Sequence, residues 1–350
     1  MGLDIGTSSV RAAELTFGRG GTTLTRFGQV ALPEGAVRAG EVVDAEAVTA
    51  AVKQLWSQAR FTTKKVVIGV ANQKVVVRQV DLPWMPLAEL KATLPMHVQD
   101  FVPMPVEQAL LDLHPLEELT NENGARMHRV LLVAAAREMV DATLAAVTGA
   151  GLKPVMVDLT SFAVLRSLVK PDVLGLGEPE AEALVDVGAR VTNIVVHQAG
   201  VPRFVRILLL GGAYLTEAVA ERLGVPLDQA EAVKQSTGLA ALAGGALDPT
   251  PEGRVLETAG ESFVEQVRGS LDYYLAQPGS VRISRLLLSG GGGQLPGLAE
   301  RIAAATRLPV AHATPMADLA IGKTGLTEEQ LNYVAPLATV PVGLALGLAS

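Results

Sequence analysis

Two short segments hold the residue types that could do chemistry: Leu3-Asp4-Ile5-Gly6-Thr7-Ser8 and Val185-Asp186-Val187-Gly188-Ala189-Arg190. In each, an apolar strand delivers an aspartate, and a glycine lets the following turn tighten. Successive backbone N–H groups in such a turn can point at an anion. Thr7, Ser8 and Ser9 add hydroxyl donors, and Arg11 can add positive charge. The two aspartates stand 182 positions apart (186 minus 4), close to half the chain, so each segment opens one half of a molecule of repeated design. Facing carboxylates from Asp4 and Asp186 could not both touch phosphate without repulsion. They make sense if Mg2+, keeping most of its waters, sits between them and a row of phosphates. Either hairpin alone is an ordinary strand turn. The pair, one per half, is what points to a nucleotide.

A third element follows in order. Leu286-Leu287-Leu288-Ser289 reads as a buried strand that runs into Gly290, Gly291, Gly292 and Gly293. Glycines at a strand end permit close backbone approach to a base or ribose, or simply loosen a strand–helix loop. Gly211 and Gly212 after another strand either line the phosphates or start a helix. Glu231 and Lys234 lie three apart on one helix face, where they either hold the ribose and base edge or pair with each other. Gly322-Lys323-Thr324 resembles the end of a phosphate-binding loop, but position 317 is alanine where that motif needs glycine.

These residues need elements to carry them. The first hairpin, Leu3–Ile5 and Ser9–Phe17, leads to a strand near Thr22–Ala31 and a helix over Ala45–Ala59 with Asp44 as its cap. Valine-rich strands follow at Lys65–Val70 and Lys74–Leu82. An inserted unit is expected over about residues 86–154, after which a strand and helix return the chain to the first half. Lobe I then spans 1–170 and a Pro/Gly-marked linker 171–182. Lobe II spans 183–333, with a smaller subdomain near 212–256, and residues 334–350 form a closing helix that returns to lobe I.

Composition supports this plan and removes alternatives. The 350 residues exceed one ordinary domain. Apolar residues make up 49% but aromatics only 4%, so the cores must be built from Val, Leu, Ile and Ala. A net charge of −7 with no run of Lys/Arg argues against nucleic acid as a partner. The chain has no cysteine, which removes disulfides, thiolate metal sites and cysteine nucleophiles together and suits a reducing cytosol. Its five histidines have no ligand spacing. The start carries no secretory signal pattern, and prolines interrupt the apolar C-terminal stretch, so a soluble chain without membrane insertion is expected.

At these residues the sequence resembles the actin, heat-shock ATPase and sugar-kinase superfamily, and within it the PilM family of type IV pilus assembly. Met1–Arg11 is similar to its first phosphate motif, Leu184–Val195 to the second, and Leu286–Leu298 to the adenosine motif. Ala230-Glu231-Ala232-Val233-Lys234 resembles the helix that touches adenosine in FtsA-type relatives. Phe101-Val102-Pro103, Leu131–Arg137, Gly151–Pro154 and Val342–Gly347 also resemble PilM sequences.

The resemblance implies an α/β, actin-like (ribonuclease H-like) two-lobed ATPase fold with a small subdomain inserted in lobe I. It implies ATP and Mg2+ as ligands. The implied nucleotide contacts are Asp4, Gly6, Thr7, Ser8, Ser9, Arg11, Asp186, Gly188, Ala189, Thr192, Gly211, Gly212, Glu231, Lys234, Gly290, Gly291 and Gly292, with Asp4 and Asp186 at the metal. Thr192 enters as the nearest hydroxyl because Arg190-Val191 replaces the small hydroxyl residues usual in relatives. The resemblance further implies a cytoplasmic adaptor at the inner face of the cell membrane. It would capture the N-terminal peptide of a PilN-type membrane protein beside the inserted subdomain and contact other pilus motor components; self-association is left open. Thr160 stands where ATP-hydrolysing relatives often present Glu or Gln, so hydrolysis is expected to be slow or absent. An FtsA-like division protein and a small-molecule kinase are the alternatives. The uncharged ending Leu344–Ser350 speaks against the first, and the lack of a distinct carboxylate base against the second.

Overall fold

The computed structural model describes residues 1–169, 180–239 and 250–348. Most of the predicted linker, residues 240–249 of the predicted smaller subdomain of lobe II and the last two residues lie outside them. The chain opens with β1 (Gly2–Ile5), β2 (Ser9–Gly18) and β3 (Gly21–Ala31), an antiparallel series. Short strands β4 (Val37–Arg38) and β5 (Glu41–Val42) lead into helix α1 (Ala45–Ala59). Asp44 caps it: its carboxylate accepts the Ala47 N–H at 2.9 Å, satisfying a donor that the helix start leaves open. Val48, Val52 and Leu55 are buried on one face. Asp44→Ala is expected to cost about 1 kcal/mol, seen as a lower urea midpoint at unchanged slope.

Strand β6 (Lys65–Val70) pairs parallel with β1. The chain then builds a separate layer from β7 (Val75–Pro83), helix α2 (Leu87–His97), β8 (Ala109–Thr120) and β9 (Arg126–Ala136). Its sheet order is β7-β9-β8, and Val80, Leu82, Leu90, Leu94 and Leu132 form its own core. Helix α3 (Arg137–Gly149) packs on α1, and β10 (Lys153–Leu159) extends the first sheet beside β6. The insert expected at about 86–154 overlaps this layer, whose sheet runs from Val75 to Ala136. The ladder from Val75 opposite Ala135 to Pro83 opposite Met127 claims β7 for the small sheet. Ala146, Val147 and Leu152 are buried with Val48 and Val52 in the lobe I core.

After α4 (Thr160–Leu168), lobe II repeats the opening. Strands β11 (Ala181–Val187), β12 (Thr192–Gln198) and β13 (Val201–Leu208) are antiparallel, and helices α5 (Gly212–Leu223), α6 (Leu227–Thr237) and α7 (Pro251–Leu275) follow. Strand β14 (Ile283–Ser289) then pairs parallel with β11, and α8 (Leu298–Thr306) leads to β15 (Val310–His312) beside β14. The five strands β3-β2-β1-β6-β10 and the five strands β13-β12-β11-β14-β15 have the same succession and the same directions. The register repeats too: Asp4 lies opposite Arg11, and Asp186 opposite Asn193.

The chain then crosses back. Strand β16 (Ala320–Ile321) pairs with β3, so lobe II does not run unbroken to residue 333 as expected. Helix α9 (Glu328–Val334) carries a complete capping box at Thr327 and Gln330. Helix α10 (Thr339–Leu346) lies on β1, β2 and α4. It approaches α4 so closely that a Cβ on Gly343 would stand 1.8 Å from the Ala163 carbonyl oxygen. Lobe II joins this layer: Leu184, Val195 and Val205 share one buried core with Val67, Ala163, Val164 and Leu344. Among the described residues, no helix is long and apolar enough to cross a membrane.

Candidate functional site

Strands β1 and β11 both end at the seam between the lobes, and their hairpin turns line one cavity there. The turns have one geometry: Gly6 N–H donates to the Ser9 carbonyl at 3.0 Å, and Gly188 N–H to the Val191 carbonyl at 2.9 Å. Asp4, Gly6, Thr7, Ser8 and Arg11 from lobe I and Asp186, Gly188, Ala189, Gly290 and Gly291 from lobe II line one narrow cavity. A wider cavity of about 1210 Å³ continues from it and takes in Ser9, Gly211, Gly212, Glu231, Lys234 and Gly292. All but one of the residues singled out from sequence thus face connected space.

The exception is Thr192. It is fully buried, its hydroxyl donates to the Leu210 carbonyl at 2.7 Å, and it lines neither cavity. As the first residue of β12 it points inward by the alternation of the strand, so the hydroxyl assigned to it from sequence does not reach the cleft.

The two aspartates sit in different company. Arg11 lies 3.6 Å from Asp4. Burial pushes the Asp4 carboxyl above its ordinary value, and the Arg11 guanidinium opposes the shift. Asp186 accepts from Ser289 Oγ at 2.7 Å. Burial pushes it up to about 6, the Ser289 hydrogen bond opposes this, and the nearby Asp4 charge adds to it. Both carboxylates are thus desolvated, and the Asp4 charge raises the proton affinity of Asp186. Ser9 Oγ and Arg11 Nε are buried with no hydrogen-bond partner, so polar capacity is left over on the lobe I side. Among the described residues, no group of three or more His, Cys, Asp or Glu side chains is placed to enclose a metal ion.

Around this centre the structure changes several expected roles. The N–H groups of Gly212 and Ala213, at the start of α5, donate to the Gly188 and Ala189 carbonyls at 3.0 and 2.7 Å. That helix start therefore buttresses the second hairpin instead of presenting these donors to an anion. The glycine run serves a similar end. Gly290 has φ +82°, and a Cβ there would meet the Val187 carbonyl oxygen at 2.4 Å, so its smallness admits protein backbone. Lys234 is buried and spends three donors on the Gly212 carbonyl (3.1 Å), Thr216 Oγ1 (3.0 Å) and Glu231 Oε2 (2.7 Å). It lines the wide cavity while braced by its own helix layer.

Other residues at the site carried no signal strong enough to pick out beforehand. Ser289 was visible only as the last residue of a strand. Asn193 follows from the repeat, since it occupies the place across from Asp186 that Arg11 occupies across from Asp4. Its Oδ1 accepts from Ser161 Oγ at 3.0 Å, a buried bond that ties lobe II to α4. Thr160, already singled out from sequence, lines the narrow cavity beside it, as do Pro336 and Leu337 from the segment before α10, which were not.

Two matching lobes, each a hairpin followed by a crossover strand, facing one another across such a cleft define the actin-like ATPase fold. MreB 5 of Spiroplasma citri bound to AMPPNP shares it, with a TM-score of 0.54 at 13% identity over 98% of this chain and 93% of that one. The chain belongs to the family described as Type IV pilus assembly protein PilM, whose profile matches residues 2–348. The solved PilM-PilN type IV pilus biogenesis complex is similar at a TM-score of 0.85 and 28% identity, covering 100% of this chain and 98% of its counterpart. The cell division protein FtsA of Bacillus subtilis (strain 168) is 24% identical over 259 residues, 67% of this chain but only 57% of that protein.

Proposed function

We propose that this chain is an ATP- and Mg2+-binding adaptor of type IV pilus assembly that holds the N-terminal cytoplasmic peptide of a PilN-type inner-membrane protein. The observation that carries the reading is the convergence of the Gly6 and Gly188 turns, with Asp4 and Asp186, on one cavity. In it the backbone of residues 6–8 and 188–189 would face the phosphates. Asp4 and Asp186 would hold Mg2+ through water, which suits a pair of carboxylates with no third ligand side chain. The cation would neutralise phosphate charge that the two aspartates otherwise repel. Gly291, Gly292, Glu231 and Lys234 would border the nucleoside in the wider space.

The hydrolytic expectation rests on Thr160. It stands at the mouth of α4 in the narrow cavity, where a carboxylate or carboxamide would be needed to orient water, and a hydroxyl on a short side chain reaches less far. ATP then acts as a clamp between the lobes, and the neighbouring peptide groove is read out in the clamped state. The membrane partner places the chain at the inner face of the cell membrane. Similarity to the PilM-PilN complex supports this partner over a division or sugar-kinase role.

Calorimetric titration tests it. Mg-ATP is expected to bind with a stoichiometry near one. A PilN-type N-terminal peptide is expected to bind the nucleotide-loaded chain, and phosphate release is expected to stay unchanged on addition of sugars. A chain that binds no Mg-ATP, or one whose turnover a sugar raises by orders of magnitude, would end the adaptor reading.

A further inference from the structure

The end of lobe I opposite the cleft gathers positive charge that the linear sequence disperses. Strands β1, β6 and β10 are parallel and deliver their C-terminal ends to the cleft, so their starts lie together at the far end. Lys65 and Lys153 open β6 and β10 and are ladder partners. Lys64 is joined to them, its carbonyl accepting the Lys153 N–H at 2.7 Å. Arg60 caps the C-terminus of α1 just before, and Arg19 sits at the tip of the β2–β3 hairpin, which runs past the start of β1 toward the same end. All five side chains are exposed and none has an ion-pair partner among the described residues. The turns that carry them, 18–22, 60–65 and 149–154, contain no acidic residue. Glu14, on the β2 strand that leads to Arg19, is buried beneath this end and held by Thr62. The chain as a whole carries −7, so the local surplus runs against the average.

We propose that this end of lobe I rests on an anionic lipid surface. The cations come from three separate turns spread across the width of the sheet, and neither cavity at the cleft includes any of them, so they offer no groove for a peptide. A spread of charge suits a surface, and each basic residue held near anionic headgroups raises partitioning roughly fivefold. Phe17, 46% exposed two residues before Arg19, adds an apolar contact at the rim of the same hairpin. This is surface adhesion by side chains, without insertion. It places the cleft away from the membrane, facing the cell interior.

The experiment uses the full chain without nucleotide or peptide, so its outcome is separate from that of the adaptor reading. Flotation is measured with vesicles of phosphatidylcholine alone and with about a third of phosphatidylglycerol. The wild type is expected to float with the anionic vesicles only, and high salt should release it. The triple variant Lys64→Glu, Lys65→Glu, Lys153→Glu should lose at least about tenfold in partitioning. Glutamine at the same positions should lose less. The charge-matched control Arg206→Glu, Arg282→Glu, Arg307→Glu on lobe II should change less than about twofold. No flotation with anionic vesicles overturns the proposal, as does equal loss in both triple variants. So does binding of an acidic polypeptide or an oligonucleotide at this face by a chain that ignores the vesicles.

Discussion

Replacing Asp186 with Asn should make the protein more stable at neutral pH and worse at holding Mg-ATP. The carboxyl titrates at an ordinary 3.8 when unfolded and at about 6 in place, because burial disfavours its charge. A folded-state value above the unfolded one means that the proton favours the native state. That favour is complete below the unfolded value and is lost as pH rises through about 6. At neutral pH the ionised group therefore costs stability on the order of 2–3 kcal/mol, which Asn removes while still accepting from Ser289. Melting temperature should rise in the variant at pH 7.5, and the difference should shrink as the buffer approaches the unfolded value. Binding moves the other way. Loss of a charge-assisted contact to the hydrated cation should weaken Mg-ATP by about 1–3 kcal/mol, or roughly five- to 150-fold in calorimetry. A variant that binds as well as wild type would remove Asp186 from the site.

The second large effect is at Gly343. The Cβ of any other residue would stand 1.8 Å from the Ala163 oxygen and 2.4 Å from its carbonyl carbon, both main-chain atoms that cannot rotate away. Helix α10 would have to lift from α4, disturbing Leu344 and Ala345 in the buried layer and the Arg166 donation to the Gly343 carbonyl at 3.1 Å. Gly343→Ala should destabilise by about 1–3 kcal/mol, and Gly343→Val by the top of that range or more. Gly269 in α7 is the control: it is exposed, and a Cβ there meets nothing within 4 Å. Gly269→Ala should stabilise by roughly 0.5–1 kcal/mol through helix propensity alone. Denaturant unfolding of the two alanine variants should therefore move in opposite directions from wild type. Equal signs would mean that the close helix crossing does not govern this region.

The site was legible in advance where chemistry and turn geometry reside in a few consecutive residues. Asp-x-Gly before a tight turn, occurring twice at half-chain spacing, needed no knowledge of packing, and Asp44 announced its helix by type and place. What stayed hidden depends on partners distant in the chain. The valines of β7 suit either sheet; only the ladder to Ala135 and its neighbours decides. Thr192 looks like a hydroxyl beside a phosphate turn until strand alternation turns it into the core. The glycines at 290–292 look open to a ligand, yet Gly290 and Gly292 are pressed against Val187 and Gly188. Arg19, Lys65 and Lys153 are spread over more than a third of the sequence, so no window along it could reveal a charged end.

The buried layer of α4 and α10 also bears on what kind of unit this chain is. Its apolar contents come from both halves, with Leu184, Val195 and Val205 on one side and Val67, Ala163 and Leu344 on the other. A half expressed alone would bare an oily wall to solvent, so the duplicated design is not modular. Movement of one lobe against the other would therefore have to slide along that shared wall.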